Sequence, residues 1–207
     1  GNLLDFLLVY SANDAAHAAA LAVSKTEDEF IKLMNDKAII LEMYETNFSN
    51  VHGLDGEDHF TTLDDLLKLT LEAIQYDEII VSTNKEYFYS DAIEGKTTKY
   101  YSTNELLKQN FNGLKTGWTQ KAGLTFVGLY QDSERSIITI VNRSSTDINN
   151  QNHFLDTLLL KDLSIQNFKN KNIIGTGDSI ANIINGKEII FVKSPKNISI
   201  FGDISMK

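Results

Sequence analysis

A lysine, two threonines and a glycine stand close together in the stretch NGLKTGWTQKAG, residues 112–123. An ammonium group supplies positive charge and threonine hydroxyls donate hydrogen bonds, so the stretch suits an anionic group such as a carboxylate. A bare Lys-Thr-Gly triplet is common by chance, so its meaning depends on what else the chain carries. The candidate residues are Lys115, Thr116, Gly117, Trp118 and Thr119.

A second candidate stretch, YSANDAA, lies at residues 10–16, just before an alanine-rich run. Ser11 and Asn13 fall where a loop turns into a helix, which can aim both side chains at one point. The alternative is that one of them simply caps the helix, since Ser and Asn are preferred N-caps. Ser-x-Asn followed by Lys-Thr-Gly is nevertheless a pair of motifs found in β-lactamases and penicillin-binding proteins.

Composition limits the kind of protein. A chain of 207 residues with 42% hydrophobic residues can bury one sizeable core and a small second unit. The net charge of -9 argues against a nucleic-acid partner, which requires clustered Lys and Arg. The absence of cysteine excludes disulfides and thiolate metal sites. The first apolar run, Leu3 to Tyr10, is interrupted by Asp5 and is far shorter than the roughly 20 residues that span a bilayer.

Helical signals dominate the first half. The alanine-rich run after Asn13 predicts a helix, and capping-box patterns open two more. The first of these runs from Thr26 to about Ile40, and the second begins at Thr62. In the second, leucines recur at helical spacing and predict a core-facing stripe: Leu63, Leu66, Leu67 and Leu71, followed by Ile74.

Strand signals dominate the middle and the tail. LTFVGLY and SIITIV, separated by the polar turn Gln131 to Glu134, predict an antiparallel hairpin. Residues 151–163 read as another helix, and residues 167–179 have the composition of a loop. A second hairpin is predicted around Asn185-Gly186 as a type I′ turn.

Together these stretches resemble serine-type D-alanyl-D-alanine carboxypeptidases, the low-molecular-mass penicillin-binding proteins. The resemblance runs in order from residue 2 to about residue 163 and includes VHGLDGEDHFTTLDDL and STNELLKQNFNGLKTGW. It implies an α+β fold of the β-lactamase and DD-peptidase type, with a helical lobe beside an antiparallel sheet. We expect residues 1–163 to be a partial DD-peptidase domain, and residues 164–207 a linker and the start of a small C-terminal β domain.

The motifs suit acyl transfer, in which a serine oxygen attacks a carbonyl and preorganised donors stabilise the oxyanion. Lys115 with Ser11 can form a hydroxyl–ammonium bridge that passes a proton to the leaving amine, and Asn13 offers an amide to the peptide group of the substrate. Gly117 leaves room for an extended peptide along the strand. The resemblance implies that Thr116 and Thr119 bind the C-terminal carboxylate and that the Trp118 amide is an oxyanion donor.

The sequence departs from the family pattern in two ways. The catalytic Ser-x-x-Lys of the family lies upstream of Ser-x-Asn, and only ten residues precede Ser11, so we expect this chain to lack the nucleophile segment. Ser82 and Lys85 have the spacing, but their neighbours favour loop or strand, so we interpret the match as coincidence. The family's carboxylate-binding arginine is replaced by NNQNHF at 149–154, with Arg143 several residues early.

The implied activity is removal of the terminal D-Ala from peptidoglycan stem peptides ending in D-Ala-D-Ala, with β-lactams as ligands of the intact protein. No metal or organic cofactor is implied. Members of this family are exported and often held at the membrane by a C-terminal segment. The resemblance therefore implies a periplasmic or extracytoplasmic protein, and we expect neither export signal nor anchor in this chain.

Alternative functions remain open at this point. A class A β-lactamase shares the motifs but needs a Glu-x-x-Leu-Asn loop, which does not occur between Asn13 and Lys115. A non-catalytic module that binds peptidoglycan peptides is the other alternative. The stretch HGLDGEDH, from His52 to His59, gathers imidazoles and carboxylates but lacks known metal-ligand spacing, so we interpret it as a solvated loop. His153 is predicted to lie on a helix surface.

Overall fold

A computed structural model describes residues 2–91, 95–146, 151–174, 179–185, 188–193 and 198–203, with side chains described from residue 3 to residue 168 within these ranges. The chain divides into two compact units, Gly1–Leu160 and Lys161–Lys207. The division falls close to the end of the predicted first domain. Assignment of the second unit to a C-terminal β domain remains a prediction.

Six α-helices lie in the described residues, besides a short 3-10 helix at Leu107–Gln109. Their bounds are α1 (Asn2–Leu8), α2 (Asn13–Val23), α3 (Glu27–Ile40), α4 (Leu63–Ala73), α5 (Asp77–Thr83) and α6 (Asn152–Asn167). The predicted caps are confirmed: the Thr26 hydroxyl accepts a hydrogen bond from the Glu29 amide at 3.2 Å, and the Thr62 hydroxyl accepts one from the Asp65 amide at 3.3 Å. Each bond satisfies a backbone donor that the helix itself leaves free.

The leucine stripe of α4 is only partly buried, although it was predicted to face the core. Leu63, Leu67 and Leu71 are 50%, 39% and 48% exposed, whereas Leu66 and Ile74 are half-buried. Helical spacing therefore identified the helix correctly but not the burial of its apolar face.

Helix α5 also departs from the sequence interpretation, which placed Ser82 and Thr83 in extended or irregular structure. Both residues lie in the last turn of the helix and are buried. Packing has overridden the preference of β-branched residues for strands. Asp77 and Glu78 in the first turn are the signal that favours a helix here, since carboxylates stabilise a helix N-terminus.

The main sheet has three antiparallel strands in the order β3-β4-β5. They are β3 (Phe111–Thr119), β4 (Gly123–Gln131) and β5 (Ser136–Ser144), so the predicted β4–β5 hairpin is confirmed. A buried cluster of Leu106, Phe111, Phe126 and Phe154 packs α6 against this sheet. The lysine motif thus lies on β3, which pairs with β4 alone among the described strands.

A two-stranded sheet covers α1. It consists of β1 (Tyr87–Ser90) and β2 (Thr98–Tyr101), paired antiparallel. Phe88 and Tyr100 point inward and form a buried cluster with Val9, against which Phe6 packs. This cluster fixes the end of α1, and the Ser-x-Asn turn follows immediately.

The second unit contains two antiparallel pairs. Strands β6 (Phe168–Ile174) and β9 (Ile198–Asp203) form one, and β7 (Ser179–Asn185) and β8 (Glu188–Lys193) form the other. The prediction of a loop is wrong for residues 168–174, which form β6. The β7–β8 hairpin is confirmed, although Gly186 of its predicted turn lies outside the described residues.

Candidate active site

The turn between α1 and α2 holds Ser11 in a left-handed conformation, with φ of 62°. Non-glycine residues seldom adopt this conformation, and it persists only where the surroundings enforce it. The Ala12 amide donates to the Phe6 carbonyl at 2.9 Å and so closes the turn on α1. Ser11 is exposed, so its hydroxyl is accessible to a ligand.

Neither residue of the Ser-x-Asn motif caps α2. The N-cap is Ala12, and no side chain supplies a cap hydrogen bond. Asn13 is the first residue of the helix, is exposed, and makes no side-chain hydrogen bond with another described residue. The capping alternative therefore does not explain the motif, and the Asn13 amide is free to bind a ligand.

Lys115 joins this turn to the sheet. Its Nζ donates to the Ser11 Oγ at 2.6 Å and to the Thr116 carbonyl at 2.8 Å. The first contact links residues 104 positions apart in the chain. The predicted hydroxyl–ammonium bridge is thus present in the structure.

The surroundings of Lys115 lower the pKa of its ammonium group. The side chain is half-buried, and burial lowers its pKa to about 8. Desolvation disfavours the charged form of an amine, and among the described residues no charged neighbour offsets it. An amine that titrates this close to neutrality can both donate and accept a proton under physiological conditions.

A second contact joins β3 to the segment before it. The hydroxyls of Thr103 and Thr116 lie 2.6 Å apart, and the Thr103 amide donates to the Val9 carbonyl at 3.1 Å. One hydroxyl hydrogen is used within the pair, which leaves the other for a ligand. No motif in the sequence had singled out Thr103. Its position within STNELLKQNFNGLKTG, a stretch that carries the family resemblance, was the available signal.

The other residues of the lysine motif have structural roles as well. A Cβ on Gly117 would meet the Thr125 Oγ1 on β4 at 2.5 Å, so the neighbouring strand gives a packing reason for glycine. The Thr119 Oγ1 accepts from the Ala122 amide at 2.9 Å in the β3–β4 turn. Its hydroxyl hydrogen remains available. Trp118 is 62% exposed.

Ser82 and Lys85 contact a different partner. Ser82 is 2% exposed and donates to the Asp5 Oδ1 at 2.7 Å. The Lys85 Nζ donates to both Asp5 carboxylate oxygens, at 2.6 and 2.8 Å. Neither side chain hydrogen-bonds to Ser11 or Lys115. A serine that is buried and bonded to a carboxylate is not placed to attack a substrate.

Other candidate residues lie elsewhere. In the described residues no group of three or more His, Asp or Glu side chains is arranged to hold a metal ion. The Asp55 carboxylate instead accepts from the Lys121 amide at 3.2 Å.

His153 is 5% exposed and its ring packs against that of Phe154, so its prediction as a surface residue is wrong. Of NNQNHF, residues 149 and 150 lie outside the described residues. Arg143 is exposed near the end of β5.

None of the described helices combines the length and the apolar character that a membrane crossing requires.

Comparison with known protein families gives a match over residues 1–146 to the family described as D-alanyl-D-alanine carboxypeptidase. The carboxypeptidase DacF of Bacillus subtilis is 32% identical over 149 residues, which cover 70% of this chain and 38% of DacF. The carboxypeptidase DacC of Escherichia coli is 31% identical over 144 residues, which cover 68% of this chain and 35% of DacC. The chain therefore spans little more than a third of the length of these relatives.

Solved structures show the same fold. A peptidoglycan synthesis regulatory factor, PBP3 of Streptococcus pneumoniae, superposes with a TM-score of 0.78 at 26% identity, covering 99% of this chain and 62% of that one. Penicillin-binding protein D2 of Listeria monocytogenes in its cefotaxime-bound form gives a TM-score of 0.69 at 32% identity, covering 78% of this chain and 64% of that one. The predicted α+β class is thereby confirmed.

Proposed function

The chain belongs to the D-alanyl-D-alanine carboxypeptidase family, and we propose that the protein carrying it removes the terminal D-Ala from peptidoglycan stem peptides through a serine acyl-enzyme. The attacking serine and its lysine would come from outside the residues seen here. This chain would supply the groups that bind the peptide and move the proton. Its place of action would be extracytoplasmic, where peptidoglycan lies.

The observation that carries this proposal is the 2.6 Å contact between the Lys115 Nζ and the Ser11 Oγ. Departure of D-Ala from a tetrahedral intermediate requires a proton on its amine nitrogen. A serine hydroxyl bonded to an ammonium group can give up its proton and be reprotonated by the lysine at once. Because the pKa of Lys115 is about 8, that transfer is close to balanced near neutral pH.

The carboxylate end of the peptide would lie along β3. The hydroxyls of Thr116 and Thr119 each have hydrogen-bonding capacity beyond their internal contacts, and Lys115 adds positive potential. The Asn13 amide would hold the peptide group on the opposite side. Gly117 keeps the strand free of a side chain, and the Trp118 amide is our proposed oxyanion donor.

β-Lactams are proposed as ligands of the intact protein. Penicillin-binding protein D2 of Listeria monocytogenes has been crystallised with cefotaxime and with ampicillin, and each of those structures shares 32% identity with this chain. The lactam carboxylate would occupy the position proposed for the peptide carboxylate.

Peptide binding by the 207-residue chain tests the half of the site that it contains. Trp118 is the only tryptophan and lies within the motif, so its fluorescence reports binding. We expect an acyl-D-Ala-D-Ala peptide to bind more tightly than its L-Ala-L-Ala counterpart, and Lys115→Met and Asn13→Ala to weaken binding. Tyr44→Ala, at a 75% exposed position on another surface, is the control. Equal affinity for the two peptides would contradict the proposal.

Acylation tests the reaction in the protein that includes the upstream segment. Lys115→Ala is expected to slow acylation by penicillin about 10²-fold or more, as loss of a preorganised donor does elsewhere. Lys115→Arg should restore only part of the rate, because arginine keeps the charge but cannot share a proton. Wild-type rates in both variants would remove Lys115 from the site.

A further inference from the structure

Asp5 on α1 carries a buried carboxylate that contacts the end of α5. The residue is 4% exposed, and its two oxygens accept three hydrogen bonds. One comes from Ser82 in the last turn of α5, and two come from Lys85, which follows the helix. The contacts join residues 77 and 80 positions apart. They are the only charged link between these two elements in the described residues.

Asp5 is continuous with the turn that carries Ser11. Its own backbone carbonyl accepts from the Val9 amide at 2.9 Å and from the Tyr10 amide at 3.3 Å. These bonds end α1, and Ser11 is the next residue. Any rotation or shift of α1 at Asp5 is therefore transmitted directly to the Ser11 hydroxyl.

The other side of the link reaches β3. Thr83, next to Ser82 in the last turn of α5, packs against Gly113, where an added Cβ would lie 2.5 Å from the Thr83 Oγ1. Gly113 precedes Lys115 by two residues on the same strand. The end of α5 thus sets the position of the strand segment that presents the lysine.

A hydrophobic contact in place of this link would allow the two helices to slide, because apolar packing has no direction. A carboxylate bound by a hydroxyl and an ammonium fixes both the rotation and the register of the helices. Burial of the Asp5 carboxylate carries a desolvation cost, so the link is weak evidence of net stabilisation and can instead serve to fix geometry.

We propose that Asp5 is a positioning residue, which holds the Ser11 turn and β3 at the separation that the Lys115–Ser11 contact requires. It does so through Ser82, Lys85 and the Thr83–Gly113 contact. The relevance of this role to catalysis rests on the proposed function, but the contact itself can be measured in this chain without substrate.

The test is a pH titration of the Lys115 ammonium group. It is monitored by NMR of protein labelled with ¹³C at lysine Cε, and the Lys115→Arg variant assigns the signal. Asp5→Asn keeps the shape of the side chain and removes its charge. Loosening the turn against the strand would admit water to the Lys115 Nζ, so we expect the midpoint to rise from about 8 by about one pH unit or more.

Asp65→Asn is the matched control. Asp65 is 2% exposed and is also bonded to a lysine, Lys68, but it lies on α4. Both variants are expected to lower the unfolding temperature, whereas only Asp5→Asn should change the titration of Lys115. If Asp5 served only stability, Asp5→Asn would lower the unfolding temperature and leave the titration midpoint of Lys115 unchanged.

Lys85→Met provides a second variant if Asp5→Asn does not fold. The Lys85 side chain is 35% exposed, so its replacement is tolerated more easily, and it removes two of the three bonds to Asp5. A smaller upward shift of the Lys115 midpoint is expected. A wild-type midpoint in a folded Asp5 or Lys85 variant would overturn the proposal. Failure of the peptide-binding test would leave this titration unaffected, so the two hypotheses can be distinguished.

Discussion

Replacement of Lys115 by methionine is expected to stabilise the fold at neutral pH while it removes a group needed for peptide binding. Methionine has nearly the length of lysine but carries no charge. In the wild-type protein the half-buried ammonium is unfavourable, and burial lowers the pKa of Lys115 from 10.5 to about 8. The variant removes that unfavourable charge together with two hydrogen bonds, to Ser11 and to the Thr116 carbonyl.

The size of the expected stabilisation follows from the difference between the pKa of Lys115 in the folded state and its ordinary value. The shift of about 2.5 units corresponds to about 3 kcal/mol, and partial exposure of the side chain makes this an upper value. Below pH 8 the lysine is charged in both the folded and the unfolded state, so the folded state bears the full cost. Between about pH 8 and 10.5 the folded protein loses the proton first, and wild-type stability rises.

The advantage of Lys115→Met should therefore decrease by up to about 3 kcal/mol between pH 7 and the upper end of this window. The two lost hydrogen bonds, at about 1 kcal/mol each, reduce the advantage at every pH but do not change its slope. At pH 7 the net gain is thus expected to be about 1 kcal/mol.

Urea unfolding between pH 7 and 10, monitored by Trp118 fluorescence, measures the difference in stability between wild type and Lys115→Met for the unit that contains β3. Lys32→Met corrects for the loss of one positive charge, since the Lys32 side chain is 75% exposed on α3. An advantage that stays constant over the range would show that Lys115 titrates as a free lysine does. The assignment of Lys115 as a balanced proton donor would then be refuted.

Three further outcomes are expected. Intact-mass spectrometry of the 207-residue chain after incubation with penicillin should show no covalent adduct, because Ser82 is 2% exposed and bonded to Asp5; a stoichiometric adduct on Ser82 would contradict its structural role. Gly113→Ala should lower the free energy of unfolding by at least about 2 kcal/mol more than Gly53→Ala in urea titrations, since both have positive φ but only Gly113 faces Thr83; equal losses would argue against that contact. Burial would raise the pKa of Asp65, but hydrogen bonds from Lys68, Thr46 and the Glu45 amide lower it overall, so its stabilising effect is present at neutral pH and lost as the pH falls below the usual Asp range; Asp65→Asn should flatten the acid side of a stability–pH curve, and an unchanged acid slope would count against this account.

Local signals in the sequence predicted much of the secondary structure correctly. The Thr26 and Thr62 caps and the β4–β5 hairpin depend on residues a few positions apart, so their physical causes are visible in the sequence. The same holds for the beginning of α2, where alanine favours a helix regardless of the surroundings. Its N-cap is Ala12 and neither Ser11 nor Asn13, because backbone bonds around the Ser11 turn determine where the helix begins.

Contacts distant in sequence decided the cases in which prediction failed. Ser82 and Thr83 are helical because Asp5 and Gly113 pack against them, and neither partner is close in the chain. The exposure of Leu67 on α4 likewise depends on what lies opposite the helix, which hydrophobic periodicity does not specify. Local preferences are small compared with the energies of packing and of buried hydrogen bonds, so tertiary contacts prevail where the two disagree.

For the candidate site, the sequence determined the residue types and their order: a serine and an asparagine before a helix, and a lysine, threonine and glycine on a strand. Only the tertiary structure placed the Lys115 Nζ 2.6 Å from the Ser11 Oγ, brought Thr103 to Thr116, and gave Asp5 its three bonds. The lowered pKa of Lys115 also belongs to the fold, because desolvation depends on the atoms that surround a group in space and not on its neighbours in the chain.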